Sequence, residues 1–516
     1  MRLFPMNASQ AHARLVQSGA VFAAVALVAG CGSAYRPVVT PINSNGPAAQ
    51  VSSYVVVVSA PSATTAGVAT IIDYSGDTVL AAAPIGPGPS AFTMDSLGGT
   101  GYTLNSDGTL SNFPISTTGT SALQAKSVTY STLASASQSG PHPPVNMFSP
   151  ASGLWTADPT GSFTDIFTGS PQAFKLAIPV AAAPVTIAGS SSIGLYNYSI
   201  SQNIANPTGV DCNLSPRTGP IGEADAIGTI TYTVSARIPL GKCPVYAVQS
   251  TDYRRFFVLN RGDDTITVIN SQNNTLNSCA PFLNQNGQKV TCHPSLPLST
   301  SAGLPQDARE DVPSIAGPVY AEYNSATSQL VVANYDGNTI SVIDVSLDEY
   351  GNDSSTFGTT YTIAVGNNPA SVTVLLDGSR AYTANQTDQT VTVASLTSYT
   401  PEKTLPVTGH PRTVVSTQNS IYGKVYVASP DSPYLTIIAT GGTNPDTVDT
   451  TLDLYSGNLV DVRVTTQNGS SGNNNNLSRI PGYGQPCNLP LNDFTPTTSK
   501  NLTLSNCQAQ AVSLLQ

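Results

Sequence analysis

Short runs in which apolar residues alternate with threonine or serine recur along most of this chain. The clearest are residues 256–270, 330–344 and 381–394. Each consists of an apolar run that ends in asparagine, a short polar turn, and a run in which Thr or Ser alternates with Ile, Val or Ala. This period-2 pattern across a tight turn predicts a β-hairpin. We expect the alternating Thr and Ser side chains to fill the solvent-facing positions.

A proline stands sixteen residues before the asparagine of each hairpin. The pairs with this spacing are Pro89 and Asn105, Pro244 and Asn260, Pro318 and Asn334, and Pro369 and Asn385. Looser copies begin at Pro144, Pro184 and Pro411, and an apolar run precedes most of these prolines. One unit is therefore four antiparallel strands. Repeated units of this kind are typical of the blades of a β-propeller.

The motifs of the best units resemble those of the YVTN-repeat, YncE-like β-propeller family. They are Tyr382-Thr383-Ala384-Asn385, the run Asn-Thr-Ile-Ser-Val-Ile-Asp at 338–344, and the run Ile-Ala-Val-Gly-Asn-Asn-Pro at 363–369. The resemblance covers about residues 51–465 and is strongest from 229 to 440. It implies an exported module that binds a protein or a polysaccharide through one propeller face.

The predicted fold class is all-β, a propeller of four-stranded antiparallel blades. Seven prolines mark seven units, and the chain ends supply strands for one more. We expect residues 54–59 and 68–74 to form two strands of that blade, and residues 450–454 and 459–465 the other two. A ring closed by both termini leaves no exposed sheet edge. The unit count gives eight blades, whereas the family resemblance favours seven.

Composition excludes several other classes of protein. Only 10% of the residues are charged, against a usual quarter, so a coiled coil is excluded. The net charge is −10, and the basic residues form no cluster that could neutralise phosphates, so we expect no nucleic-acid partner. The 42 glycines and 39 prolines suit a chain with many turns.

The N-terminus resembles a lipoprotein signal peptide over residues 1–30. Arg2 and Arg14 accompany an apolar core of about ten residues, too short to span a bilayer. The run Leu-Val-Ala-Gly-Cys at 27–31 resembles a lipobox, with Cys31 as the lipidated residue. Gly32 follows in place of the Asp of an inner-membrane retention signal. We therefore expect a membrane partner through a lipid anchor, an outer-membrane location, and a flexible tether over residues 31–50.

The cysteine count fits an oxidising compartment. Six of the seven cysteines remain after Cys31, an even number that suits disulfides, although several pairings are open. Proximity along the chain favours Cys212 with Cys243, Cys279 with Cys292, and Cys487 with Cys507.

Three segments interrupt or follow the repeats. We expect a propeller over residues 51–466, with insertions at 201–228 and 271–316 and a loop-rich tail over 467–516. Asp307, Glu310 and Asp311 in the second insertion could bind Ca²⁺, but a solvated loop is the simpler interpretation. The sequence specifies no cofactor.

The repeated asparagines Asn105, Asn260, Asn334 and Asn385 are the candidate metal ligands. Propeller lactonases resemble this class and hold a divalent cation with Asn and carboxylate oxygens, so a metal-dependent hydrolase is the alternative function. The simpler interpretation is that an asparagine repeated in several blades has a structural role, because its side chain can form hydrogen bonds near a turn. With no catalytic motif in the chain, we predict a binding or scaffold module without catalysis.

Overall fold

The chain forms eight antiparallel sheets that stand side by side as the blades of a β-propeller. The computed structural model describes residues 54–465, apart from 63, 75, 96–97, 116–128, 133–143, 151–152, 170–171, 190–194, 205–211, 213–215, 285–286, 288 and 298–314. Neighbouring inner strands contact one another all the way round the ring. The prediction of an all-β propeller is confirmed, and the blade count is eight.

We number the blades from the one that contains the first strand of the chain. The inner strands of blades 1 to 8 are Asn458–Val464, Pro89–Met94, Asn146–Phe148, Pro184–Gly189, Pro244–Gln249, Pro318–Asn324, Pro369–Val374 and Thr413–Ser416. The second strands are Tyr54–Ala60, Thr100–Asn105, Leu154–Asp158, Tyr196–Ser201, Arg255–Asn260, Gln329–Asn334, Arg380–Asn385 and Lys424–Ala428. The third strands are Ala66–Asp73, Thr109–Pro114, Phe163–Thr168, Ile221–Gly228, Thr265–Asn270, Thr339–Asp344, Thr390–Ser395 and Tyr434–Ala439. The outer strands are Thr78–Pro87, Thr129–Thr132, Ala173–Pro179, Val234–Lys242, Thr275–Leu276 with Ser295–Leu296, Thr360–Ala364, Thr400–Pro406 and Thr447–Asp453.

The alternating Thr and Ser side chains do not face solvent, so this expectation is wrong. Thr267, Ser341 and Thr392 on third strands are 6%, 0% and 1% exposed. The reason is that each sheet is covered on both faces by its neighbours, which buries both sets of alternating positions. The outer strands are the most exposed to water, and Thr400–Pro406 is exposed over most of its length.

Apolar and aromatic side chains from adjacent blades form the core. The rings of Tyr246 and Tyr320, from the inner strands of blades 5 and 6, stack with centroids 4.7 Å apart. Trp155 of blade 3 packs on Tyr232 of blade 4 at 6.2 Å. Each fully buried large side chain contributes about 1.5–3 kcal/mol. A single blade has no such cover, so stability depends on the stack of blades.

Blade 1 closes the ring with strands from both ends of the described chain. Its inner strand Asn458–Val464 pairs antiparallel with Tyr54–Ala60, and the Tyr54 N–H donates to the Thr465 hydroxyl at 2.7 Å. The expected division into two strands from each end is wrong, because three strands come from the N-terminal side and one from the C-terminal side. Residues 447–453 instead form the outer strand of blade 8, which its third strand requires as a partner.

The insertion in blade 5 divides its outer strand into two pieces. Thr275–Leu276 and Ser295–Leu296 both pair with the third strand Thr265–Asn270. The residues between them contain the small hairpin of Phe282–Leu283 and Lys289–Val290. In blade 4, the expected insertion 201–228 is shorter in the structure, because Ile221–Gly228 is a regular third strand; a 3-10 turn, Pro216–Thr218, precedes it.

Candidate functional site

The inner strands are joined by polar side chains that reach forward to the next blade. Asn146 of blade 3 accepts the Ile187 N–H at 3.2 Å, and Ser371 of blade 7 accepts the Val414 N–H at 3.1 Å. These N–H groups lie on inner strands, which have no further strand on the side of the central axis. The polar residues around the axis therefore serve first as inter-blade hydrogen-bond partners.

Four charged side chains lie on or next to the inner strands, and each is at most 2% exposed: Glu322, Arg412, Asp461 and Arg463. Glu322 accepts the Val374 N–H at 2.9 Å and Gln418 Nε2 at 3.1 Å. It thereby links blade 6 to blades 7 and 8.

Asp461 is held by a guanidinium group of its own strand. Its Oδ2 accepts Arg463 Nε at 3.1 Å and Nη2 at 3.0 Å. Burial raises the pKa of Asp461, and the positive charges of Arg463 and Arg412 oppose that rise. Arg412 also donates to the Val460 carbonyl at 2.9 Å, which joins blade 8 to blade 1. A cation bound at Asp461 or Glu322 would have to compete with these protein donors.

The four repeated asparagines occupy equivalent places in four different blades. In each, Nδ2 donates to two hydroxyl groups of the third strand of the same blade; for Asn385 these are Thr390 at 3.0 Å and Thr392 at 2.8 Å. In three of the four blades the amide also packs against a glycine that precedes the blade: a Cβ on Gly366, for example, would lie 2.7 Å from Asn385 Cγ. These contacts give the repeated asparagines a structural role, whether or not a metal is also bound.

A second contact, present in blades 4, 7 and 8, joins the second strand to the turn between the third and outer strands of the next blade. The Tyr382 hydroxyl donates to Asp446, which also accepts Arg380. Tyr198 donates to Asn274 Oδ1 at 2.6 Å. At the closure of the ring, Lys424 of blade 8 pairs with Asp77 of blade 1 in the same way. Burial first, and then the hydrogen bond to Asp446, raises the pKa of Tyr382, so its hydroxyl remains a donor.

Three other side chains of types common in functional sites have structural partners. Arg261, within an Arg-Gly-Asp tripeptide, is 4% exposed and pairs with Asp336 of the next blade at 2.7 Å. His410 contacts Asp431 at 2.6 Å, and His293 contacts Asp353 at 3.0 Å. None of these groups presents an open arrangement for nucleophilic catalysis.

Two of the three predicted disulfides are present. Cys212 bonds Cys243 and Cys279 bonds Cys292, which indicates an extracytoplasmic protein. The remaining sequence predictions lie outside the described residues: Cys31, Cys487, Cys507, Asp307, Glu310 and Asp311. In the part of the chain that the structure describes, no three His, Cys, Asp or Glu side chains group as metal ligands. Over the same part, no helix is long and apolar enough to cross a membrane.

Six exposed large apolar side chains lie on one face of the propeller, a feature that the sequence patterns did not indicate. We call it the lower face; it is formed by the loops between inner and second strands and between third and outer strands. Its exposed large side chains are Leu195, Ile230, Tyr350, Leu376, Ile421 and Tyr422. The Leu376 N–H donates to the Gln418 carbonyl at 3.0 Å, so the loops of blades 7 and 8 that carry three of them are adjacent. An apolar surface of this kind marks a candidate binding site.

Comparison with known proteins supports the fold. No protein-family model and no curated protein matches the chain. The structure of apo AztD from Citrobacter koseri is similar with a TM-score of 0.50 and 13% identity, over 80% of this chain and 97% of that one. The dihydro-heme d1 dehydrogenase NirN, solved in complex with DHE, has a TM-score of 0.51 and 12% identity, over 84% of this chain and 77% of its own. At these identities the similarity shows the fold alone.

Proposed function

We propose that this protein is an exported, lipid-anchored YVTN-like β-propeller whose lower face binds a protein partner in the cell envelope. The observation that carries the proposal is the set of exposed apolar side chains on that face. Ile230 and Tyr422 are 80% exposed, Leu195 is 67% and Ile421 is 61%. Three of these four side chains are aliphatic, which favours a protein surface over a polysaccharide, because a polysaccharide more often stacks on flat aromatic rings.

The proposed location in the cell envelope rests on the N-terminal sequence and on the disulfides. The lipobox-like run ending at Cys31 and the two disulfides of the propeller are both consistent with export to an oxidising compartment. A lipid on Cys31 would hold the propeller at a membrane through the segment 31–50. Gly32 favours the outer membrane.

Cross-linking on intact cells tests the proposal with two matched variants. Ile421→Ser/Tyr422→Ser removes the apolar patch of blade 8, and we expect it to reduce capture of the partner. Tyr455→Ser alters a residue that is 87% exposed but lies on the opposite face, in the connection from blade 8 to blade 1, and should leave capture unchanged. In the same cells, Cys31→Ser should move the protein from the membrane to the soluble fraction.

Three outcomes would contradict parts of the proposal. Equal capture by the lower-face variant and the wild type would exclude this patch as the binding surface. Loss of capture with Tyr455→Ser alone would assign binding to the upper face. Capture of glycan in place of protein, lost in the lower-face variant, would keep the surface and change the class of partner.

A further inference from the structure

Four blades share one buried hydrogen bond between their second and third strands. The asparagine that ends the second strand donates from Nδ2 to a third-strand hydroxyl at 2.7–2.8 Å. The pairs are Asn105 with Ser111, Asn260 with Thr267, Asn334 with Ser341, and Asn385 with Thr392. A neutral donor and a neutral acceptor thus face each other, and no charge is buried.

Blade 3 has a carboxylate at both of these positions. Its register pairs Asp158 with Phe163 and Thr156 with Asp165. In blade 5, Asn260 pairs with Thr265 and Val258 pairs with Thr267 in the same manner. Asp158 therefore replaces the asparagine, and Asp165 replaces the hydroxyl residue. The two side chains are 0% and 3% exposed, so two carboxylates are buried where other blades hold a close hydrogen bond.

The protein groups around this pair leave oxygen atoms unsatisfied. Asp158 Oδ1 accepts the Gly161 N–H at 2.8 Å. Among the described residues, neither Asp165 Oδ1 nor Thr156 Oγ1 has a hydrogen-bond partner. Thr156 is fully buried and is the direct cross-strand partner of Asp165, so both side chains lie on the same face of the blade. Two buried oxygens on one face of the blade thus lack a hydrogen-bond partner beside the two carboxylates.

Blade 4 shows how the fold accommodates a single carboxylate at the third-strand position. Asp225 there is the cross-strand partner of Ser199, accepts the Ala181 N–H at 2.7 Å, and has Arg237 Nε at 3.5 Å. Ala181 stands three residues before Pro184 at the start of the blade. At the two equivalent positions, blade 3 therefore has two carboxylates, whereas blade 4 has Ser201 and Asp225.

We propose that the carboxylates of Asp158 and Asp165, with the Thr156 hydroxyl, bind a hard divalent cation, Ca²⁺ being the best match. All three donors are oxygen atoms, which Ca²⁺ prefers, and its flexible coordination accepts further water or carbonyl ligands. A divalent charge neutralises both carboxylates, whereas a shared proton neutralises one. The cation would also supply a partner for the Thr156 oxygen, which a proton between the carboxylates would not. This ligand set contains only two acidic side chains, so it is smaller than the groups of three acidic, histidine or cysteine side chains that are absent from the described residues.

Titration of the full-length protein with CaCl2 after EDTA treatment tests this site. We expect the thermal unfolding midpoint of the wild type to rise with Ca²⁺ concentration, since a ligand that binds the folded state stabilises it. Asp158→Asn/Asp165→Thr restores the residue pair of blade 7. This variant should unfold at a higher temperature than the wild type in EDTA, and Ca²⁺ should not shift its midpoint. Asp225→Asn, which alters the carboxylate at the equivalent third-strand position of blade 4, should keep the response to Ca²⁺.

A second variant keeps the test decisive if the double substitution does not fold. Thr156→Val preserves shape and removes only the hydroxyl ligand, and should weaken Ca²⁺ affinity measured by calorimetry about tenfold, as loss of one supporting group typically does. The proposal is overturned if neither Ca²⁺ nor Mg²⁺ shifts the wild-type midpoint, or if the double variant responds as the wild type does. A wild type that only loses stability as pH rises from about 4 to 8 in EDTA, with no response to cations, would assign the pair a shared proton.

Discussion

The repeated asparagine shows how one residue position organises a blade. Asn385 is fully buried and donates to Thr390 and Thr392 on the neighbouring strand. The same amide packs against the backbone of Gly366, in the space that a Cβ at that position would occupy. One side chain therefore fixes the hairpin of its own blade and the approach of the preceding blade.

Removal of this amide tests its structural role. We expect Asn385→Ala to lower the free energy of unfolding by about 1–3 kcal/mol, because buried hydroxyl partners lose their donor and a cavity forms. Denaturant unfolding followed by circular dichroism measures the change. Asn444→Ala is the control, since that side chain is exposed, and it should stay within about 0.5 kcal/mol of the wild type. Equal stability of the two variants would contradict the structural role.

At the scale of elements, the insertion of blade 5 is held by one carboxylate of blade 6. Asp353 is 4% exposed; its Oδ1 accepts Arg255 Nη2 at 2.8 Å and its Oδ2 accepts Asn277 Nδ2 at 2.7 Å and the His293 N–H at 3.0 Å. Burial by itself would raise the pKa of Asp353, but hydrogen bonds from His293 and Arg255 outweigh it, and the pKa lies below its usual 3.8. The contact stabilises the fold above the unfolded-state pKa, and this stability is lost as pH falls through the lower folded-state value.

Loss of this carboxylate should release the insertion. We expect Asp353→Asn to cost about 3–5 kcal/mol, because Arg255 would be left buried without its counter-charge. Residues 277–294 should then be cut faster by protease, which mass spectrometry of the fragments detects. Glu402→Gln on an exposed outer strand is the control. Equal cleavage in both variants would show that the Cys279–Cys292 disulfide holds the insertion without Asp353.

At the scale of the whole molecule, closure depends on a single strand near the C-terminal end of the described chain. Asn458–Val464 is the inner strand of blade 1, and it carries the buried pair Asp461 and Arg463. Without it, Tyr54–Ala60 would present an unpaired edge towards the axis, and the inner strands of blades 8 and 2 would lose their common neighbour. Ring closure is therefore a cooperative property of residues that lie far apart in sequence.

Two truncations separate closure from the tail. A chain that ends after Asp453 lacks the closing strand and should aggregate or unfold at a much lower temperature, because a bare edge strand favours intermolecular pairing. A chain that ends after residue 466 keeps the strand, and should unfold near the wild-type midpoint in differential scanning calorimetry. A stable, monomeric protein after the shorter truncation would contradict the role of this strand in closure.

The proline–asparagine spacing, the period-2 pattern and the glycine-rich turns determined the fold class and the start of most blades, because they are local rules that each blade obeys separately. Three features required the tertiary structure. The alternating hydroxyls are buried only because neighbouring blades cover both faces of each sheet. The closing blade takes only one strand from the C-terminal side, because the preceding strand, Thr447–Asp453, is the outer strand of blade 8. The two carboxylates of blade 3 appear ordinary in sequence, and only the strand register places them where the other blades hold an amide and a hydroxyl in contact.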